Sequence, residues 1–198
     1  MRKSRYEKIL SLAAKLIAKE GYDGASFQEI ANEVGLHKSS LFHYFKNKEG
    51  LLLKLLEKPI DEVNSNLRKI INNKKLEPEE KCKMASHNHL KLLSEYIDNV
   101  NIYLNETRSL SRKNQLIYLG KRKSYEKDFM EIVKEMKAKR YFDGLNTKIV
   151  TFGLLGMLNW TVKGYKKDRN VNVETIANIF CELILGGSGR FRQIKGFQ

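Results

Sequence analysis

The chemistry legible in this chain is concentrated between Ser26 and Leu56, SFQEIANEVGLHKSSLFHYFKNKEGLLLKLL, and it is the chemistry of binding. Ser26 stands three residues before Glu29, an S-x-x-E capping box. In such a box the serine hydroxyl accepts from the Glu29 amide, and the Glu29 carboxylate accepts from the Ser26 N–H. Ile30, Ala31 and Val34 then form one apolar face at helical spacing. Gly35 supplies the left-handed residue that ends a helix at little cost. The pattern predicts a second short helix over His37–Phe45. Two short helices across a tight glycine turn make a helix-turn-helix pattern, in which the second helix enters the DNA major groove and the first crosses the backbone.

The other reactive residue types point away from catalysis. Cys82 and Cys181 are far apart in helical patterns and read as buried free thiols in a reducing compartment. His87 and His89 are two apart, so they do not face each other on a helix. Cys82 and His89 share a face, but a structural role outweighs a metal site there. No phosphate loop, G-x-S-x-G, H-E-x-x-H or paired-cysteine motif occurs. The expectation is a non-enzyme with no metal and no cofactor.

The elements that position the Ser26–Leu56 stretch read as all-α, about nine helices. A first helix spans about Ser4–Glu20, ends at Gly21, and turns Ile9, Leu10, Ala13, Ala14, Leu16 and Ile17 inward. Asn47 caps a fourth helix that starts at Lys48, carries the leucine run 51–56, and continues past Pro59 with a kink or short break. Pro78 suits the first turn of the next helix, about 78–98. A shorter piece, Asn99–Leu110, is read as joining it. A long helix over 112–139 places Leu116, Ile117, Leu119, Tyr125, Phe129, Ile132, Val133 and Met136 at helical spacing. A turn around Gly144 leads to an apolar helix capped by Asn146, and Asn172 caps the last. The expected division is a helix-turn-helix domain at 1–47, a ligand-binding and dimerisation domain at 48–190, and a tail at 191–198.

The net charge of +14 over 198 residues indicates a polyanionic partner. Residues 1–50 hold nine basic and six acidic side chains, so most of the excess lies outside the DNA-reading stretch. Arg2, Lys3 and Arg5 could follow a phosphate backbone or a minor groove. MRKSRYEKIL has no apolar core of a signal peptide, and the most apolar segment, 149–160, is shorter than the roughly 20 residues that span a bilayer. A cytoplasmic protein with no membrane partner is expected. The last two helices carry more apolar surface than one small domain hides, which predicts a homodimer built on them.

From Gly21 to Leu52, GYDGASFQEIANEVGLHKSSLFHYFKNKEGLL resembles the N-terminal domain of TetR/AcrR-family transcriptional regulators. The remainder is similar to the family in layout. Tyr141-Phe142-Asp143, the run Gly153–Trp160, and Val173–Ala177 are similar to a subgroup of fatty-acid and acyl-CoA-responsive repressors. The resemblance implies that Lys38, Ser39, Ser40, Phe42 and His43 lie on the recognition helix and meet bases or the groove wall. Lys38 can donate to guanine or a phosphate, and His43 can hydrogen-bond a base edge. Tyr44 and Lys48 match phosphate-holding positions, and Ser26 and Phe27 open the helix that faces the backbone. Leu41 and Phe45 fall in the core. His37 stands where the family often has a small hydroxyl residue.

Within 90–160, Tyr96, Tyr103, Tyr118, Tyr125, Phe129, Phe152 and Trp160 are expected on helices around one core that could open an apolar pocket. Arg108, Arg112, Lys121, Arg122 and Lys123 are basic neighbours for an anionic head group such as the phosphates of coenzyme A. The expected function is a ligand-responsive, homodimeric DNA-binding regulator, a repressor at a palindromic operator. A small apolar or amphipathic effector, with acyl-CoA as the candidate, would release it by tilting the helix that begins at Lys48. The alternatives are a multidrug-type sensor of an apolar cation and a basic adaptor that does not bind DNA.

Overall fold

A computed structural model describes residues 4–164 and 172–188. The basic residues Arg2 and Lys3 and the expected tail 191–198 lie outside the described residues. Among the described residues the fold is all-α with no strand: α1 Arg5–Gly24, α2 Phe27–Glu33, α3 Lys38–Leu41, α4 Lys48–Asn72, α5 Pro78–Glu95, α6 Ile97–Glu106, α7 Arg112–Ala138, α8 Thr147–Gly164 and α9 Val173–Ser188. A short 3-10 turn, Thr107–Ser109, follows α6.

Local chemistry sets the helix ends. Ser4 and Glu7 close a capping box on α1, and Ser26 and Glu29 close the same box on α2. Asn47 Oδ1 accepts from the Gly50 amide at 2.7 Å, Asn146 Oδ1 from Lys148 at 2.9 Å, and Asn172 Oδ1 from Thr175 at 2.7 Å. Gly21, at φ +79°, interrupts α1 where the sequence predicts its end, but one more helical turn follows to Gly24. The expected continuity of α5 and α6 is broken at Tyr96, whose backbone leaves helical geometry.

The chain divides into two compact units, Met1–Asp61 with Tyr96–Lys121, and Glu62–Glu95 with Arg122–Gln198. Helices α4 and α7 each pass from one unit to the other without interruption.

In the first unit, α1, α2, α3 and the first turns of α4 bury Ile9, Ile17, Ile30, Leu41, Leu51 and Leu55. Helix α6 packs along α1, and Ile102, Leu110 and Tyr118 join that same core. Pro59 sits inside α4 without the kink or break that its sequence position suggests. A proline has no N–H to give the carbonyl four residues back, here that of Leu55. The buried Asn99 of α6 supplies the missing donor: its Nδ2 donates to Leu55 O at 2.8 Å. Nearby, Glu57 accepts from Lys54 at 2.7 Å and pairs with Lys121 at 3.2 Å, and Lys121 also reaches Asp61 at 2.7 Å. Burial opposes charge on Glu57, but these two lysines outweigh it and hold the carboxyl below its ordinary range.

In the second unit, Phe129, Ile132, Val133 and Met136 of α7 are buried, as are Leu154 and Leu158 of α8 and Cys181 of α9. Leu116, Ile117 and Leu119, which share the helical repeat of α7 in the sequence, are exposed instead. They precede the part of α7 that belongs to this unit. A polar cluster lies in the interior. Asn159 Oδ1 can only accept, so His89 Nε2–H donates to it at 3.3 Å, and His89 Nδ1 accepts from the Tyr125 hydroxyl at 2.8 Å. Burial pushes the His89 imidazole down to about 4, so it is neutral at pH 7.

Candidate functional site

The first unit builds the DNA-reading surface from short elements. The Ser26 hydroxyl accepts from Glu29 N at 3.1 Å, and Glu29 Oε2 accepts from Ser26 N at 2.7 Å. These bonds hold the Glu29 carboxyl below its ordinary range. The Ser26 hydroxyl proton stays available to an outside acceptor. Phe27 is buried, and its ring lies 5.1 Å from that of Phe42, which ties the start of α2 to the end of α3.

Gly35, at φ +70°, makes the turn, and the Leu36 amide reaches back to Ala31 O at 2.8 Å. The second helix is shorter than the sequence predicts. Regular helix covers only Lys38–Leu41, and His37 gives it no side-chain cap. The chain nevertheless stays coiled to Phe45 through bonds from Phe42 N to Ser39 O, Tyr44 N to Leu41 O and Phe45 N to Leu41 O. Tighter three-residue bonds replace part of the helical ladder there, as is common in a last turn.

This coil sorts its side chains sharply. Leu41 and Phe45 are buried, four apart, and anchor the segment. Lys38, Ser39, Phe42, His43 and Tyr44 are exposed, and Ser40 is half-buried. Phe42 is 51% exposed although it is a large apolar ring. Tyr44 is braced by Tyr6 at 6.4 Å and Phe45 at 6.3 Å between ring centres. Lys48, at the start of α4, holds its ammonium 4.4 Å from the centre of the Tyr22 ring. Glu49 Oε1 accepts from Ser111 N at 2.8 Å and Asn114 Nδ2 at 2.6 Å, which pins the start of α4 to the start of α7. These are hydrogen-bond donors and a ring presented on a rigid apolar base, an arrangement suited to a groove lined by base edges and phosphates.

The expected ligand residues do not surround one core. Tyr96, Tyr103, Arg108 and Tyr118 belong to the first unit; Arg122, Tyr125, Phe129, Phe152 and Trp160 belong to the second. Tyr103 and Tyr118 pack ring to ring at 5.4 Å beside the helix-turn-helix core, and Arg108 is exposed. Of the basic neighbours, Lys121 is engaged by Asp61 and Glu57, and Arg122 lies 3.9 Å from Glu126. Tyr125 and Phe129 are buried neighbours of His89, whereas Phe152 and Trp160 are exposed on α8. His89 and Asn159, which complete the buried polar cluster, were not among the expected site residues. The sequence signal for them is a lone histidine and asparagine in apolar helices.

Among the described residues no group of histidine, cysteine and carboxylate side chains is arranged to hold a metal ion, and no helix is long and apolar enough to cross a membrane.

Comparison with known proteins accounts for both units. Residues 9–55 match the bacterial regulatory proteins of the tetR family, and residues 75–188 match the tetracyclin repressor-like C-terminal domain. The HTH-type transcriptional repressor KstR2 of Mycolicibacterium smegmatis is 27% identical over 195 residues, covering 93% of this chain and 90% of that protein. The fatty acid metabolism regulator protein of Bacillus subtilis is 22% identical over 192 residues, covering 94% of this chain and 96% of the relative. The crystal structure of AibR with isovaleryl coenzyme A and operator DNA superimposes with a TM-score of 0.79 at 26% identity, covering 92% of this chain and 98% of that one. The exposed coil on its buried anchor, the all-helical remainder and a match across both halves lead to one conclusion: this chain belongs to the TetR family and is a DNA-binding transcriptional regulator, not an enzyme.

Proposed function

We propose that the chain is a homodimeric repressor that reads a palindromic operator through Lys38, Ser39, Ser40, Phe42 and His43 and is released by an acyl-CoA or a similar amphipathic effector. The observation that carries the reading is the exposure of these side chains around the buried pair Leu41 and Phe45. Tyr44, Lys48 and the Ser26 hydroxyl, with Phe27 packed behind it, lie beside them as phosphate-holding groups.

The second copy is the occupant we assign to the face formed by α8 and α9. Ile149, Phe152 and Trp160 of α8 and Ile179 and Leu183 of α9 are all exposed, with Ile149 at 66%, Trp160 at 69% and Leu183 at 61%. Gly153 and Gly156 fall in the α8 stripe, and a Cβ added at either meets nothing within 4 Å. That leaves room for a helix backbone to approach closely. A two-fold pair of such faces makes a four-helix interface, and two readers match two half-sites.

For the effector, the acyl-CoA class is supported by relatives whose names refer to fatty acid metabolism and to bound isovaleryl coenzyme A. The second unit holds the candidates Arg122, Tyr125, Phe129, Phe152 and Trp160, with His89 and Asn159 added for their hydrogen-bonding groups. Residues 48–190 are the effector and dimer domain in this scheme, and 1–47 the reader. Such a regulator acts in the cytoplasm.

The test is selection of duplexes from a random pool by the full-length protein, followed by titration of the selected duplex at several salt concentrations. Lys38→Ala and His43→Ala are expected to relax sequence preference. Lys48→Ala is expected to weaken all duplexes alike and lower the salt slope by about one. Binding that is indifferent to sequence and to all three changes would favour a basic adaptor instead. Native mass spectrometry of the purified protein tests the dimer and any retained acyl-CoA together.

A further inference from the structure

The only two cysteines of the chain, 99 residues apart, lie against each other inside the second unit. Cys82 is in the first turns of α5 and Cys181 in the middle of α9, two helices that pack together. Both side chains are buried, and each thiol is the chief influence on the other. The next residue on each helix repeats the pairing on the surface, where Lys83 Nζ meets Glu182 Oε1 at 2.9 Å. Two successive residues of α5 are thus matched to two successive residues of α9. This fixes the helices in register and holds the sulfurs side by side.

We infer that Cys82 and Cys181 form a reversible redox site that closes to an intramolecular disulfide when the protein meets a small hydroperoxide. The Cys181 thiolate attacks one peroxide oxygen; the O–O bond breaks and hydroxide leaves, taking up a proton as water. Sulfur is oxidised by two electrons to the sulfenic acid and the peroxide is reduced. Cys82 sulfur then attacks the sulfenyl sulfur. The S–S bond forms, the S–O bond breaks, and the hydroxyl departs as water with the Cys82 proton. One peroxide and two thiols yield one disulfide and two waters.

The surroundings assign the two roles. The Cys82 thiol donates to Cys181 and lowers its pKa, with Lys83 adding positive charge; the same contact and burial raise that of Cys82. Cys181 is therefore the attacking sulfur and Cys82 the resolving one. Because the bond would tie α9 to α5, it would stiffen the helix whose outer face carries Ile179 and Leu183.

The experiment treats the full-length protein with hydrogen peroxide, blocks remaining thiols under denaturing conditions, and reads intact mass and non-reducing peptide maps. A loss of 2 Da with one Cys82–Cys181 cross-linked peptide, reversed by dithiothreitol, is expected. Cys181→Ser should abolish the mass loss and leave Cys82 reduced. Cys82→Ser should leave Cys181 as a sulfenic acid that dimedone traps. A retained pair of free thiols, a 32 Da gain at Cys181 in the unaltered protein, or a bond between two chains would each overturn the proposal. The readout is mass, so it stands or falls independently of operator binding and of the effector.

Discussion

Replacing Asn99 tests the account of how α4 tolerates Pro59. Asn99 Nδ2 donates to Leu55 O, the carbonyl that Pro59 leaves without its helical partner. Asn99 is 8% exposed and Leu55 fully buried, so water is a poor substitute donor. Removing one partner of a buried hydrogen bond costs roughly 1–3 kcal/mol, and Asn99→Ala should destabilise the protein by about 2 kcal/mol. In a Pro59→Ala background residue 59 regains an N–H, which can serve Leu55 O in the ordinary helical manner. There Asn99→Ala should cost about 1 kcal/mol less, a coupling well within what touching groups show. The assay is equilibrium urea unfolding of the four proteins by circular dichroism, fitted with a common slope. A cost for Asn99→Ala that is the same with proline or alanine at 59 would refute the reasoning. The side chain would then matter for its volume alone.

Three further outcomes are expected. His89 is neutral and buried with its pKa lowered to about 4, so the unfolded chain takes a proton that the folded chain refuses. The stability it contributes is present above pH 6.5 and is lost as pH falls toward 4, by about 3 kcal/mol in total; urea midpoints between pH 7 and 4.5 should show the loss, and His89→Leu should flatten it. Leu183→Glu puts a charge on the exposed face of α9 and should turn the dimer into a monomer in sedimentation velocity, with helix content unchanged. Ser26→Ala removes the acceptor for the Glu29 amide and should cost about 1 kcal/mol in thermal unfolding, since the reciprocal Glu29 bond remains.

Caps and turns were the most legible features. Ser26, Gly35, Asn47, Gly144, Asn146 and Asn172 act through neighbours within five residues, so the sequence contains both halves of each interaction. Ser4-Arg5-Tyr6-Glu7 carries the same capping box as Ser26–Glu29 and was equally readable, although it drew notice only for its charge. The split of the aromatic residues was not readable. The periodicity of α7 is continuous, yet Tyr118 faces the reader's core and Tyr125 the second unit, because the packing partner changes between them. A repeat of 3.6 residues reports that a face is buried, not what buries it. The pairing of Cys82 with Cys181 was hidden for the same reason, although the burial of both was expected. The length of α3 depends on whether the bonds after Leu41 span three residues or four, which side-chain types barely influence.

The contribution of Ile102, Leu110 and Tyr118 to the helix-turn-helix core has a consequence for the birth of the protein. The nascent chain emerges from its N-terminus at about 5–20 residues per second. The reader's own helices are therefore made early, but the residues that finish its core lie some fifty to sixty positions beyond the last of the reader. Helices α4 and α5 are synthesised in the interval, and the first unit cannot close until Lys121 has left the ribosome. DNA recognition in this chain is thus acquired late in translation, although it is encoded first.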